Sequence, residues 1–202
     1  MELFGSYELW WACGWLCHQL PSRSPHYEEY LFPMCARCAG IQLGLLATYL
    51  WLLVSGGLRR RLPPLTTALA AAFFCAPMLI DGWGNALGAW SSPDLFRALS
   101  GLCCGVTLPL FAVPLAQKNR DTVKLKPTLN SPRSMLLPLL LGVALLAPVL
   151  RPFSLTLFQA FGIAAGTVPV VFALNLVLAF WYGGREPWVE LLKCFKPVMR
   201  PA

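Results

Sequence analysis

Residues 35–54 read CARCAGIQLGLLATYLWLLV, an apolar run in which Arg37 is the only charged side chain. A transmembrane helix needs about 20 predominantly apolar residues to cross the hydrocarbon core of a bilayer. The run from Cys35 to Val54 therefore predicts a first membrane span. Gly40 and Gly44 lie four residues apart in this run, as do Gly101 and Gly105 in a later one. Each pair shares one helix face and predicts close packing against another helix.

Four more apolar runs follow along the chain. They extend from about Leu65 to Trp83, Leu95 to Ala116, Met135 to Leu150 and Leu155 to Trp181. Only helices and closed barrels satisfy their backbone hydrogen bonds in lipid, and these runs lack the alternation of barrel strands. Charged residues make up 12% of the chain, about half the usual share in a soluble domain, which is roughly 25%. We therefore predict an all-α, polytopic transmembrane bundle of about five spans.

The first 34 residues differ from the spans. Leu3 to Leu16 is short and carries four of the aromatic residues that favour membrane interfaces, Tyr7, Trp10, Trp11 and Trp15. We expect an interfacial or re-entrant helix there, without the basic start of a signal peptide. The predicted organisation is an N-terminal helix and connector over residues 1–34, a five-span bundle over 35–182 and a basic tail over 183–202.

Lysine and arginine residues alternate between the loops. The loop after the first span carries three of these residues, Arg59–Arg61, and the loop after the second carries none, since Arg97 is counted in the third span. The loops after the third and fourth spans carry five and one, and the tail carries four. The positive-inside rule places the first and third loops and the tail in the cytoplasm, and the N-terminal region outside. The net charge of +7 thus reflects topology and contact with anionic membrane lipids, and nucleic acid is not an expected partner.

Cysteine and histidine collect at the outer end of the first span. Cys35 and Cys38 are three residues apart at the helix entry, which puts both sulfurs on one face. The helix N-terminus favours thiolates, so we expect lowered pKa values for both cysteines. Cys17 and His18 stand earlier in a connector long enough to fold back onto them.

Two ionisable residues join the cysteines through the topology. Asp81 is near the outer end of the second span and Arg97 near the outer end of the third. An ionisable residue inside a span indicates a functional site, so both are candidate catalytic residues. The alternative is that Asp81 and Arg97 pair with each other and hold the bundle.

The constellation fits a metal site. Cys17, His18, Cys35 and Cys38 are zinc ligands of the usual types, and four would close a structural site. Three would leave a position for water or substrate, with Asp81 nearby as a base or as support for a ligand.

Two alternatives use the same residues. Cys35 and Cys38 could form a thiol–disulfide redox pair with Cys17 as resolving thiol, and Arg37 between them would stabilise a thiolate. The cysteines could instead be an inert staple in an accessory subunit of a larger membrane complex. The remaining cysteines are expected to be small apolar packing residues. They are Cys13, Cys75, Cys103, Cys104 and Cys194.

At these residues the chain resembles a family of small prokaryotic membrane proteins called DUF2085, a domain of unknown function. The resemblance covers roughly residues 13–105. It lies in Cys17-His18-Gln19, Pro21, Arg23-Ser24, Pro33, Cys35, Arg37-Cys38, Gly40-Ile41, Gly44, Asp81-Gly82, Arg97 and Ser100-Gly101. Pro25 and Gln42 depart from the pattern, and neither is a candidate ligand. The resemblance implies one shared site and no particular reaction.

The sequence thus favours a multi-pass protein of the prokaryotic inner membrane with a zinc site on its extracytoplasmic face. The preferred ligands are Cys35, Cys38 and His18, with Cys17 as fourth ligand or support. Asp81 and Arg97 are expected to form the inner wall of the pocket. If the protein is an enzyme, metal-assisted chemistry on a lipid or lipid-linked group is the favoured class.

Overall fold

The computed structural model describes residue 11 and residues 13–55, 62–116, 132–152 and 154–181. Within these ranges the chain forms five long helices. They are α1 (Ala36–Val54), α2 (Leu65–Ala86), α3 (Asp94–Leu115), α4 (Leu136–Leu150) and α5 (Leu155–Trp181). A 3-10 turn, Pro132–Met135, leads into α4.

The prediction of an all-α bundle with five spans is confirmed. All five helices are long and apolar enough to cross a membrane, counting the 3-10 turn with α4. Their bounds differ from the predicted ones by a few residues, because end residues such as Asn85 and Asp94 are polar but still helical. Most of the predicted N-terminal helix lies on residues 1–10, outside the described residues. The basic residues of the first and third loops and of the tail, apart from Arg133 in the 3-10 turn, lie on residues 56–61, 117–131 and 182–202, which are also outside them.

Helices α1 and α3 touch through their backbones. The contact is made by two glycines on each helix, Gly40 and Gly44 facing Gly101 and Gly105. A methyl group added to Gly40 would lie 2.9 Å from the backbone nitrogen of Leu102, and one added to Gly101 would overlap the backbone of Arg37. The sequence prediction of close packing at these glycines is confirmed, and the contact brings Arg37 against the first turns of α3.

The connector before α1 packs onto the bundle. A two-residue hairpin pairs β1 (His26–Tyr27) with β2 (Tyr30–Leu31). The following Phe32 is fully buried, with its ring centroid 5.2 Å from that of Phe158 in α5. Met34 is buried in the same cluster as Cys17. Burial of these apolar side chains anchors the connector and returns it to the start of α1.

Replacing Gly101 with alanine should destabilise the bundle by about 1–3 kcal/mol, because overpacking forces the two backbones apart. The measurement is the free energy of unfolding of the purified protein in detergent. Gly82→Ala is the matched control, since its added methyl would have only the Arg37 Nη1 atom near it, at 4.0 Å. Equal stability losses in the two variants would contradict the proposed role of the α1–α3 contact.

Candidate functional site

Three sulfur atoms meet where the connector joins α1. The Sγ atoms of Cys17, Cys35 and Cys38 all lie within 4.8 Å of one another. Cys35 immediately precedes α1 and Cys38 is in its first turn, while Cys17 comes from the connector. Cys17 is buried, and the other two cysteines are half-buried. The connector thus folds back onto the Cys-x-x-Cys pair, as its length allowed.

Backbone and amide contacts fix Cys17 in place. Its Sγ accepts hydrogen bonds from the backbone N–H groups of Cys35 and Gln19, each at 3.3 Å. Gln19 takes a left-handed conformation with φ of 49°, and its side-chain Nε2 donates to the Pro33 carbonyl at 2.9 Å. Gln19 therefore joins the Cys17 segment to the segment that precedes Cys35.

The sequence did not assign a role to Gln19. It stands in the quoted Cys-His-Gln motif, so the signal was present. Its contact to Pro33, however, depends on how the connector folds.

The pKa values of the Cys17 and Cys35 thiols are shifted in opposite directions. The pKa of the Cys17 thiol is lowered, first because the Cys35 side chain donates a hydrogen bond to it and next because that of Cys38 does. The pKa of Cys35 is raised, mainly because donation to Cys17 retains its proton. The expectation that Cys35 would have a lowered pKa is wrong, because its neighbour Cys17 outweighs the effect of the helix N-terminus.

Asp81 is the centre of a buried polar network. Its side chain is fully buried, with Oδ2 paired to Arg37 Nη2 and Oδ1 accepting from Ser92 Oγ. Asn85 Nδ2 donates to Asp81 Oδ1 at 2.9 Å. Both carboxylate oxygens are therefore engaged by protein donors. Arg37 was expected to stabilise a thiolate of Cys35 or Cys38. Its guanidinium is instead the counter-ion of the buried Asp81 carboxylate.

Arg97 has partners other than Asp81. Its Nη2 donates to Asn85 Oδ1 at 3.1 Å, and its Nη1 contacts Asp94 at 3.3 Å. The direct Asp81–Arg97 pair that the sequence allowed is not among the contacts of residues 13–55, 62–116, 132–152 and 154–181. The carboxylate of Asp81 pairs with Arg37 of α1 instead.

A cavity of about 440 Å³ adjoins the sulfurs. Its walls come from the connector and the first turns of α1 and α3. They are Cys17, His18, Gln19, Leu20, Arg23, Cys35, Arg37, Cys38 and Arg97. His18 is exposed at this cavity and lies outside the three-sulfur group. Asp81 does not line the cavity, but it pairs with Arg37, which does.

The sulfur arrangement suits a thiophilic metal ion. Tetrahedral zinc with Zn–S bonds near 2.3 Å holds its sulfurs about 3.8 Å apart, which is within the 4.8 Å spread of the group. The group could therefore hold a metal ion, with the adjoining cavity next to it.

Fold and site together define a helical membrane protein with five helices long enough to span a bilayer and a three-cysteine group. The sequence model of the family described as "Predicted membrane protein (DUF2085)" matches residues 17–111, and the chain belongs to this family. An uncharacterized protein of Methanothermobacter thermautotrophicus is 31% identical over 97 residues, covering 46% of this chain and 81% of the relative. An uncharacterized protein of Methanocaldococcus jannaschii is 29% identical over 100 residues, covering 50% of this chain and 63% of the relative. No solved structure matches the chain.

The matched region contains all of the site described above. It begins at Cys17 and ends in α3 beyond Arg97, so α4 and α5 lie outside it. Ser92 also lies inside it and was missed from the sequence. Serine residues before a helix are common, and only the fold shows that this one bonds to Asp81.

Asp81→Asn should destabilise the protein by roughly 3 kcal/mol, because it leaves the Arg37 guanidinium without its buried counter-ion. The free energy of unfolding in detergent measures this. Asp94→Asn is the control, since the Asp94 side chain is 45% exposed and exposed pairs contribute about 0–1 kcal/mol. A loss for Asp81→Asn no larger than that for Asp94→Asn would contradict the buried-network description.

Proposed function

We propose that this DUF2085 protein binds one zinc ion through Cys17, Cys35 and Cys38. The observation that supports this most directly is the convergence of three sulfurs from two chain segments within 4.8 Å. Thiolates select soft metals, and zinc is the common tetrahedral partner of cysteine and histidine. His18 at the cavity wall is the candidate fourth ligand. If His18 stays unbound, the fourth position is open to water or substrate.

The proposed site lies on the extracytoplasmic face of a prokaryotic inner membrane, with the tail in the cytoplasm. The start of α1, the end of α2 and the start of α3 meet at one end of the bundle, where Arg37 contacts Asp81. In the sequence, the lysine- and arginine-rich stretches follow the C-terminal ends of α1 and α3, and the thiols lie at the N-terminal end of α1. The positive-inside rule then orients the thiol end outward.

An open zinc position beside the cavity would support metal-assisted chemistry on a lipid or lipid-linked group. Three protein ligands with a free position is the usual arrangement of catalytic zinc, where the ion acts as a Lewis acid. In this proposal Arg97 forms part of the substrate wall. Asp81 is a positioning residue, because both of its oxygens are used to hold Arg37, Ser92 and Asn85.

The alternative function is thiol–disulfide exchange. Three neighbouring thiols with one lowered pKa, that of Cys17, are also what a redox site requires. In this case Cys35 and Cys38 form the exchanging pair and Cys17 is the resolving thiol. The two functions differ in whether the purified protein carries a metal.

Elemental analysis of the detergent-purified protein, with free-thiol counting on the same sample, tests the proposal. We expect near-stoichiometric zinc, reduced at least about tenfold in Cys35→Ser, since removing one of three thiolates weakens metal binding strongly. Cys103→Ser, which alters a cysteine of α3 outside the sulfur group, should retain the metal.

Metal-free protein with Cys35 and Cys38 oxidised would overturn the zinc proposal. Reversible reduction of that disulfide, with a mixed disulfide trapped in Cys38→Ser, would support the redox function. A disulfide that resists reduction would instead support a structural staple in a membrane complex.

A further inference from the structure

Three guanidinium groups line the cavity beside the sulfurs. Arg23 comes from the connector, Arg37 from the first turn of α1 and Arg97 from the first turn of α3. The lining residues include no aspartate or glutamate. Three segments that are distant in sequence thus each bring one arginine to the same space.

Arg97 is buried and not fully partnered. It is 5% exposed, and its two Nη atoms contact Asn85 and Asp94. Its Nε atom is buried and has no hydrogen-bond partner. Buried polar groups in native proteins nearly always have a partner, so the unpartnered Nε of this cavity-lining residue indicates a missing acceptor.

Arg37 repeats this arrangement on the neighbouring helix. Its Nη2 pairs with Asp81, while its Nε is likewise buried and without a partner. Two residues that line one cavity therefore each have an Nε donor without a partner. Arginine presents its N–H groups in a rigid planar fork that suits oxyanions with several oxygens.

The charges near the cavity leave room for an anion. Asp81 compensates Arg37, and the half-exposed Asp94 contacts Arg97. Arg23 is half-buried, and no salt bridge to it occurs among the described residues. A zinc ion with three thiolates would carry one negative charge and balance one arginine. The sulfurs are not acceptors for the two Nε atoms in this structure, since neither Nε has a hydrogen-bond partner among the described residues.

We propose that this cavity binds a phosphate group, with the guanidinium groups of Arg23, Arg37 and Arg97 as its donors. Phosphate binding at this cavity depends on the arginines alone. The further step, that the bound phosphate is part of a substrate of the metal centre, rests on the proposed function. The phosphate could belong to a lipid headgroup or to free phosphate, since both present the same oxyanion to the arginines.

The test measures binding to the full-length protein in nanodiscs of phosphatidylcholine. The probes are inorganic phosphate, titrated by calorimetry, and dioleoyl phosphatidic acid, counted by native mass spectrometry. Arg97→Gln and Arg23→Gln should each weaken binding of the effective probe by about tenfold or more, as expected for loss of a charge-assisted hydrogen bond. Arg23→Gln keeps the test valid if the buried Arg97→Gln variant does not fold.

Arg151→Gln is the matched control. Arg151 follows α4 at the same end of the bundle, is exposed and lines a different, apolar cavity. It should leave binding unchanged, although it removes the same charge from the same end of the protein.

Arginine-dependent binding of inorganic phosphate would support a site for free phosphate groups. Arginine-dependent binding of phosphatidic acid alone would support a lipid headgroup. Binding of neither probe, or binding that folded Arg23→Gln and Arg97→Gln variants retain in full, would overturn the inference.

Cys35→Ser separates this inference from the zinc proposal. Loss of metal with phosphate binding retained would leave the anion site intact. If the unsubstituted protein holds its full zinc content but binds no phosphate, the anion site is rejected and the zinc proposal stands.

Discussion

The backbone contact between α1 and α3 is the constraint on which the rest of the structure depends. Gly40 and Gly44 meet Gly101 and Gly105 with no room for a side chain. In lipid, helix association relies on packing and hydrogen bonds rather than on the hydrophobic effect, so close approach is the main source of affinity. Thr48 adds an interhelical bond from its Oγ1 to the Val106 carbonyl at 3.0 Å. The glycine contact fixes the positions of Arg37 and Arg97 along the axes of α1 and α3.

A second constraint attaches α2 to this pair. The α2 helix exposes much of its apolar surface, including Leu69, Phe73 and Trp83. Its buried carboxylate, Asp81, reaches Arg37 of α1 and Ser92 before α3. A buried charge is costly unless it is paired and hydrogen-bonded. The complete set of partners around Asp81 therefore selects one arrangement of the three helices at this end of the bundle.

The spans could be predicted from the sequence because hydropathy and length are local properties. The same holds for the glycine pairs, whose spacing of four residues follows from the helix period. The meeting of Cys17 with Cys35 and Cys38 could be anticipated only as a possibility of the connector's length. The partner of Arg37 could not be predicted, since choosing Asp81 over a nearby thiolate depends on the rotation of α1 against α3. Gln19 and Ser92 were missed because their partners, Pro33 and Asp81, are distant from them in sequence.

The first turn of α1 contributes to two groups at once. Cys38 belongs to the sulfur group, while Arg37, one residue earlier, is held by Asp81 of α2. A species that binds the sulfurs in the folded state, and not in the unfolded chain, adds its binding free energy to that of folding. By thermodynamic reciprocity, any effect of such binding on the packing of α2 is matched by an equal effect of that packing on the affinity of the sulfurs. The first turn of α1 is the structural element through which the two would be linked.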